Sequence, residues 1–220
     1  MTDLLDFARG PALQAAMVIF VLGVFWRLGS LFFLPHIMRK TPSREGAAPP
    51  FIAASSEFIR RMMVKKEYAS RTAFSFFNGW TFHIGLAIIV FGLGAHIMFF
   101  KRLIGLSWPN LPSNLIFLIA VITLASLIAA LIHRLTSPVL KMISTLDDYI
   151  TWAVTAAPVI TGLAATMHLG ARYETLLAIH ILSICVFLIW FPFGKLMHAF
   201  LVFITRGETG IELAERGVKL

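Results

Sequence analysis

The chain has 220 residues, of which 58% are hydrophobic and only 14% charged, and its mean hydropathy is +0.83. A soluble domain cannot cover its surface with so few polar side chains, so composition points to an integral membrane protein. A net charge of +8 would suggest a nucleic-acid partner in a soluble chain; here its distribution reports orientation instead, and the lone Cys185 excludes an internal disulfide, a thiolate-held iron–sulfur cluster and the C-x-x-C-H attachment of c-type haem.

A bilayer core about 30 Å thick needs roughly 20 apolar residues in a helix. Five such runs are expected, at 11–34, 74–100, 113–133, 149–168 and 175–204. The first is read as a span and not as a cleaved leader. It follows Asp3 and Asp6 instead of a basic region, it is too long, and it lacks an A-x-A-like exit. Between the first and second runs, residues 36–73 form the one sizeable extramembrane segment. Its first part, HIMRKTPSREGAAPP, reads as loop. Its second part, FIAASSEFIRRMMVKKEYASR, is basic and has a helical look, so it reads either as a helix along the membrane interface or as a basic loop that only fixes topology. Trp80, Trp108, Trp152 and Tyr173 fall near span ends, as interfacial aromatic residues do. The lone cysteine is expected to be a small core residue.

Basic residues set the orientation. Arg39, Lys40, Arg44, Arg60, Arg61, Lys65, Lys66 and Arg71 lie between the first two spans; Arg134 and Lys141 follow the third, and Arg206, Arg216 and Lys219 the last. The opposite side has only Arg9, Lys101, Arg102 and Arg172. The positive-inside rule therefore places the N-terminus outside and the C-terminus, with a tail at 205–220, in the cytoplasm.

Four histidines stand out by depth. His83 lies near the cytoplasmic start of the second span and His96 near its outer end; the fifth span runs the other way, with His180 near the outer surface and His198 near the inner one. Depth thus pairs His83 with His198, and His96 with His180. Two neutral imidazoles at one depth on facing helices are what a bis-histidine haem requires. The rise from His83 to His96 is about 20 Å and from His180 to His198 about 27 Å, which favours two haems, one near each leaflet. A kink at Pro192 is one way to absorb the difference. At about 100° per residue His180 and His198 share a face, whereas His83 and His96 end well over 100° apart on an ideal helix. Either the haems splay around the second span or its winding changes near Gly92 and Gly94. Gly85, Gly92 and Gly94 make room either for a macrocycle or for ordinary helix packing. His36, His133 and His168, at span ends and in a short loop, read as structural or solvated, with help in proton exchange as the alternative.

The segments TFHIGLAIIVFGLGAH, HRLTSPVLKMISTLDDYITWAVTAAPVITGL and AIHILSICVFLIWFPFGKLMHAF resemble the cytochrome b gamma subunit of respiratory nitrate reductase and its relatives. Those relatives include membrane subunits of sulfur-metabolising complexes, such as the one associated with dissimilatory sulfite reductase. The resemblance spans roughly residues 74–205. It implies a five-span subunit of a prokaryotic cytoplasmic membrane that binds two b haems through His83, His96, His180 and His198, oxidises a membrane quinol, and passes electrons to a cytoplasmic iron–sulfur subunit of a larger complex. The spacing of His83 and His96 is longer than in the nitrate reductase subunits and the 36–73 segment more extended, which favours a divergent relative and leaves the terminal substrate open.

On this reading quinol binds near the outer haem, with Lys101, Arg102 and Trp108 as candidate contacts. Arg27 and Lys195 fall where the inner haem's propionates need cations, with snorkelling as the alternative role for Arg27. Asp147 and Asp148 are expected to cap the fourth span. The cytoplasmic loops and the tail RGETGIELAERGVKL are the available docking surfaces, the tail reading equally as a frayed end. Two other classes fit the sequence: a transporter whose intramembrane histidines relay protons or a metal ion, and a structural anchor for a peripheral complex.

Overall fold

A computed structural model describes residues 2–34, 42–64 and 66–218. Of the residues singled out above, His36, Arg39, Lys40, Lys65 and Lys219 lie outside these. All regular structure among the described residues is helical, and five stretches are long and apolar enough to cross a bilayer: Asp3–Phe33, Lys66–Gly92, Ser113–Thr136, Leu146–Met167 and Tyr173–Trp190. Their outward faces carry large apolar side chains, among them Phe25, Trp26 and Phe33 at 70%, 75% and 89% exposure. Such a surface is stable only against hydrocarbon.

The helices are α1 (Thr2–Phe7), α2 (Leu13–Gly29), α3 (Pro50–Arg60), α4 (Ala69–Gly92), α5 (Gly94–Ile104), α6 (Ser113–Thr136), α7 (Pro138–Ile143), α8 (Leu146–Met167), α9 (Tyr173–Trp190) and α10 (His198–Glu215). Local chemistry sets several boundaries. Pro50 and Pro138 stand at the first turns of α3 and α7, where a missing N–H costs nothing. Thr145 and Asp148 form a reciprocal capping box at the start of α8, and Gly105, at φ 77°, closes α5 in the left-handed conformation that favours glycine.

Two of the expected spans are broken. The run expected at 74–100 leaves helical geometry at Leu93 (φ −76°, ψ 127°), which separates α4 from α5. The run expected at 175–204 ends as α9 at Trp190, turns through Phe191–Gly194, and resumes as a short 3-10 segment, Lys195–Met197, followed by α10. Both breaks leave backbone groups that hydrocarbon cannot satisfy, so internal partners must be found. At the first, Leu111 N–H donates to Gly92 O at 2.9 Å and Trp108 Nε1 donates to Phe91 O at 2.6 Å. The loop after α5 therefore folds back onto the break.

Backbone packing runs in the order α4–α6–α8–α9–α2, and among the described residues α4 and α9 share at most a marginal backbone contact. Interfaces within the row use small residues and polar ties, as expected where lipid removes the hydrophobic contrast between helices. A Cβ on Gly85 of α4 would overlap Thr123 Oγ1 of α6, and one on Gly92 would come within 2.9 Å of Ile116 and Leu111. These two glycines serve helix contact, so the alternative in which they clear space for a macrocycle is not the one the structure takes. Asn78 Nδ2 donates to Ser126 O at 3.1 Å, and Trp152 Nε1 to Leu127 O at 2.8 Å. Between α6 and α8, Leu127, Ala156 and Val159 form a small core that Phe82, Leu86 and Leu163 cover. Cys185 is buried, as a small core residue.

Outside the spans, α3 packs along α10. Phe58 stacks on Phe203 with centroids 5.2 Å apart, and Ala53 closes against Gly210, where a Cβ would meet Ala53 O at 2.5 Å and Glu57 Cβ at 2.7 Å. The residues read as a tail are helical through Glu215, whose carbonyl accepts from Arg44 N–H at 3.0 Å. Glu57 is fully buried in this contact. Its carboxylate takes Arg60 Nη2 at 2.5 Å and Arg61 Nε.

Gly210→Val is expected to pry α3 from α10, overpacking of this kind costing about 1–3 kcal/mol; limited trypsin digestion should then cut faster at Arg60 and Arg61. A second outcome concerns acid. Burial opposes ionisation of Glu57, but the Arg61 and Arg60 guanidiniums outweigh it and hold the carboxyl below its ordinary value of 4.5. A lowered folded-state value means that the contribution is present above the unfolded value and fades as pH falls through the folded one. Hydrogen-exchange protection factors of the α3 amides, corrected for the intrinsic pH dependence of exchange, should therefore fall below about pH 4.5, and Glu57→Gln should remove that dependence.

Candidate functional site

The four histidines singled out by depth come together as two pairs. His83 of α4 and His198 at the start of α10 have ring centroids 6.0 Å apart, with their planes at 88°. His96 of α5 and His180 of α9 have centroids 6.3 Å apart and are near parallel at 19°. The pairs bridge the gap that backbone packing leaves open between α4–α5 and α9–α10.

The break at Leu93 removes the phase conflict of a straight helix. His83 and His96 sit on separate helices, α4 and α5, so their angular offset is no longer fixed by 3.6-residue winding. Of the two alternatives, a change in winding near Gly92 and Gly94 is the one adopted. The turn at residues 191–194 likewise puts His180 and His198 on separate helices, α9 and α10. Pro192 seats against α2 at Gly23, where a Cβ would lie 2.5 Å from Pro192 Cγ. Trp190 Nε1 donates to Thr151 Oγ1 of α8 at 3.1 Å.

Each ring has its Nδ1 tied. His83 Nδ1 lies 2.7 Å from Gly79 O, His96 Nδ1 3.0 Å from Ile89 O, and His198 Nδ1 2.8 Å from Lys195 O. Carbonyls only accept, so these nitrogens carry the proton. His180 Nδ1 lies 3.1 Å from Thr161 Oγ1. That hydroxyl spends its own proton on Ala157 O at 2.7 Å, so it accepts from His180. All four imidazoles are thus set in the tautomer that leaves Nε2 with its lone pair, the arrangement metal-binding histidines adopt. Gly162 makes room for one of them, since a Cβ there would come within 3.1 Å of His180 Cε1.

The remaining candidates are placed as follows. Trp108 has committed its indole N–H to Phe91 O and is packed against Phe91 and Phe100. Lys101 and Arg102 are exposed in the last turn of α5. An open apolar recess, lined by Ala87, Ile88, Phe91, Gly92, Pro109 and Leu111, lies beside the Leu93 break. Arg27, exposed at the end of α2, stands one turn beyond Gly23 and forms no ion pair among the described residues. Lys195 is engaged by Asp148 at 2.6 Å. Asp148 caps α8 as expected, but its two ion pairs were not foreseen, nor were Thr161 and Gly162. His133 packs against Phe74 with centroids 4.7 Å apart, and His168 ends α8 at φ 54° beside Tyr173.

No group of three or more His, Cys, Asp or Glu side chains able to hold a metal ion occurs among the described residues; the histidines come as separate twos. No model of a known protein family matches the chain. It is similar to a chain of Nitratidesulfovibrio vulgaris described only as a protein, with 28% identity over 219 residues covering 94% of this chain and 92% of that one.

Gly162→Val is expected to push on the His180 ring and disturb the His96–His180 pair while sparing His83–His198. In histidine-labelled protein reconstituted in bilayers, the ring nitrogen resonances of the first two should shift and those of the other two should stay.

Proposed function

We propose that this chain is a dihaem b-type membrane subunit that carries electrons between the quinone pool and a cytoplasmic iron–sulfur partner, with one haem near each leaflet. The observation that carries the reading is the spacing of the histidine pairs. An imidazole nitrogen sits about 2 Å from a bound metal and about 1 Å from its own ring centre, so two imidazoles on opposite sides of one ion have centroids about 6 Å apart. Both pairs, at 6.0 Å and 6.3 Å, match. The donor chemistry fits as well: two neutral nitrogens per site, each with its second nitrogen tied down. Two of the three segments that resemble the nitrate reductase gamma family carry these same histidines, which supports the assignment.

On this reading His83 and His198 hold one haem and His96 and His180 the other, and the bound haems supply one-electron chemistry at two depths. The chain holds the ligands and orients their rings through backbone carbonyls and Thr161. Arg27 remains the candidate partner for a propionate. The apolar recess beside Leu93 suits a quinone ring, with Lys101 and Arg102 at the adjacent helix end and Trp108 bracing the loop.

The test is optical. Purified protein should show a b-type alpha band in the reduced-minus-oxidised spectrum and two haems per chain. His198→Ala and His180→Ala should each lose one haem and abolish quinol-dependent reduction. A folded, colourless preparation would overturn the proposal in favour of a histidine-relay transporter.

A further inference from the structure

Asp148 does more than cap a helix. The capping box is complete once its Oδ2 accepts from Thr145 N–H at 2.9 Å and its own backbone N–H donates to the Thr145 side chain; the Thr145 hydroxyl also donates to Oδ2, at 3.1 Å. The same carboxylate also holds two cations from elsewhere in the fold: Lys195 Nζ is 2.6 Å from Oδ2, and Arg134 Nη1 is 3.2 Å from Oδ1. Its side chain is only 8% exposed. Arg134 is steadied in turn by Ser144 Oγ at 2.8 Å. One carboxylate thus gathers the end of α6, the start of α8 and the segment that leads into α10.

Lys195 connects this cluster to a histidine. Its ammonium is held by Asp148, and its carbonyl accepts the Nδ1 proton of His198 at 2.8 Å. The rest of the turn is anchored independently, by Pro192 on Gly23 and by Trp190 on Thr151. Beside the buried Leu196 and Met197, Asp148 is therefore a polar fixed point for the short 3-10 segment Lys195–Met197 from which His198 springs. Two cations against one carboxylate also leave a net positive charge beside that segment.

We propose, resting on the dihaem reading above, that Asp148 is a positioning residue for the His83–His198 site: through Lys195 it orients His198, and by balancing Lys195 and Arg134 it sets the redox potential there. Outer partners of a ligating histidine and charge near an iron are both means by which a protein tunes potential. The sign follows from charge. Removing the carboxylate leaves two uncompensated cations, which favour the reduced form and raise the potential; removing the lysine ammonium lowers it.

The experiment is an optical redox titration of the detergent-solubilised full chain. Asp148→Asn should raise the midpoint potential of one haem, the one absent from His198→Ala, and leave the other unchanged with the haem count intact. Lys195→Gln should lower that same potential, and Asp148→Glu should restore a value close to the wild type. Movement of neither potential in these variants, or equal movement of both, would overturn the assignment. Should Asp148→Asn fail to accumulate, Lys195→Gln decides alone, because its side chain is half exposed and tolerates replacement. A wild-type protein without haem would sink the dihaem reading itself, whereas two wild-type haems indifferent to these substitutions would sink only the role given to Asp148.

Discussion

A straight helix cannot show two residues thirteen positions apart to the same neighbour, and the arrangement of this molecule depends on that constraint. His83 and His96 can both meet partners across one gap only because the chain stops being helical at Leu93. Interrupting a helix at membrane depth exposes carbonyl groups to hydrocarbon, at a cost of several kcal/mol for each left unsatisfied. The sequence around the break offsets this cost locally. Phe91 O is taken by Trp108 and Gly92 O by Leu111, while Ile89 O, which keeps its helical bond from Leu93 N–H, also receives His96 Nδ1.

The second segment is also broken, although His180 and His198 would share a face on an unbroken helix, and its break uses different chemistry. Here proline ends the helix, and the turn is held from outside, by α2 at Gly23 and by α8 at Thr151 and Asp148. His198 then takes its backbone carbonyl from within that turn. Placing the two pairs on four separate helices lets each pair adopt its own plane angle, 88° in one and 19° in the other. Continuous helices would have tied the two orientations together.

Much of this was legible in the residues. Span number follows from hydropathy, because uninterrupted apolar runs of bilayer length have few other uses, and the pairing of His83 with His198 and His96 with His180 follows from depth alone. A break could be anticipated at Pro192, where the imino ring forbids helix, but between Gly92 and Gly94 glycine permits several outcomes and does not select one. The glycines left two readings open for a related reason. Absence of a side chain marks a close approach without naming the neighbour, so Gly85 and Gly92 turned out to face α6 and its preceding loop, while Gly162, which does lie beside a histidine, gave no local sign. Long-range ion pairs such as those of Asp148 have no periodicity to betray them. The segment 205–215 was ambiguous in another way: its polar composition resembles a frayed end, and its order comes from α3, a partner some 150 residues earlier in the chain.

One consequence follows from the course of α10. The helix opens with His198 and is 18 residues long, about 27 Å of stiff rod, and it meets α3 near its far end at Gly210. A lever with a ring at its root and a handle outside the lipid transmits tilt from one to the other. Whatever binds the α3–α10 handle thereby acquires mechanical access to an imidazole a helix-length away.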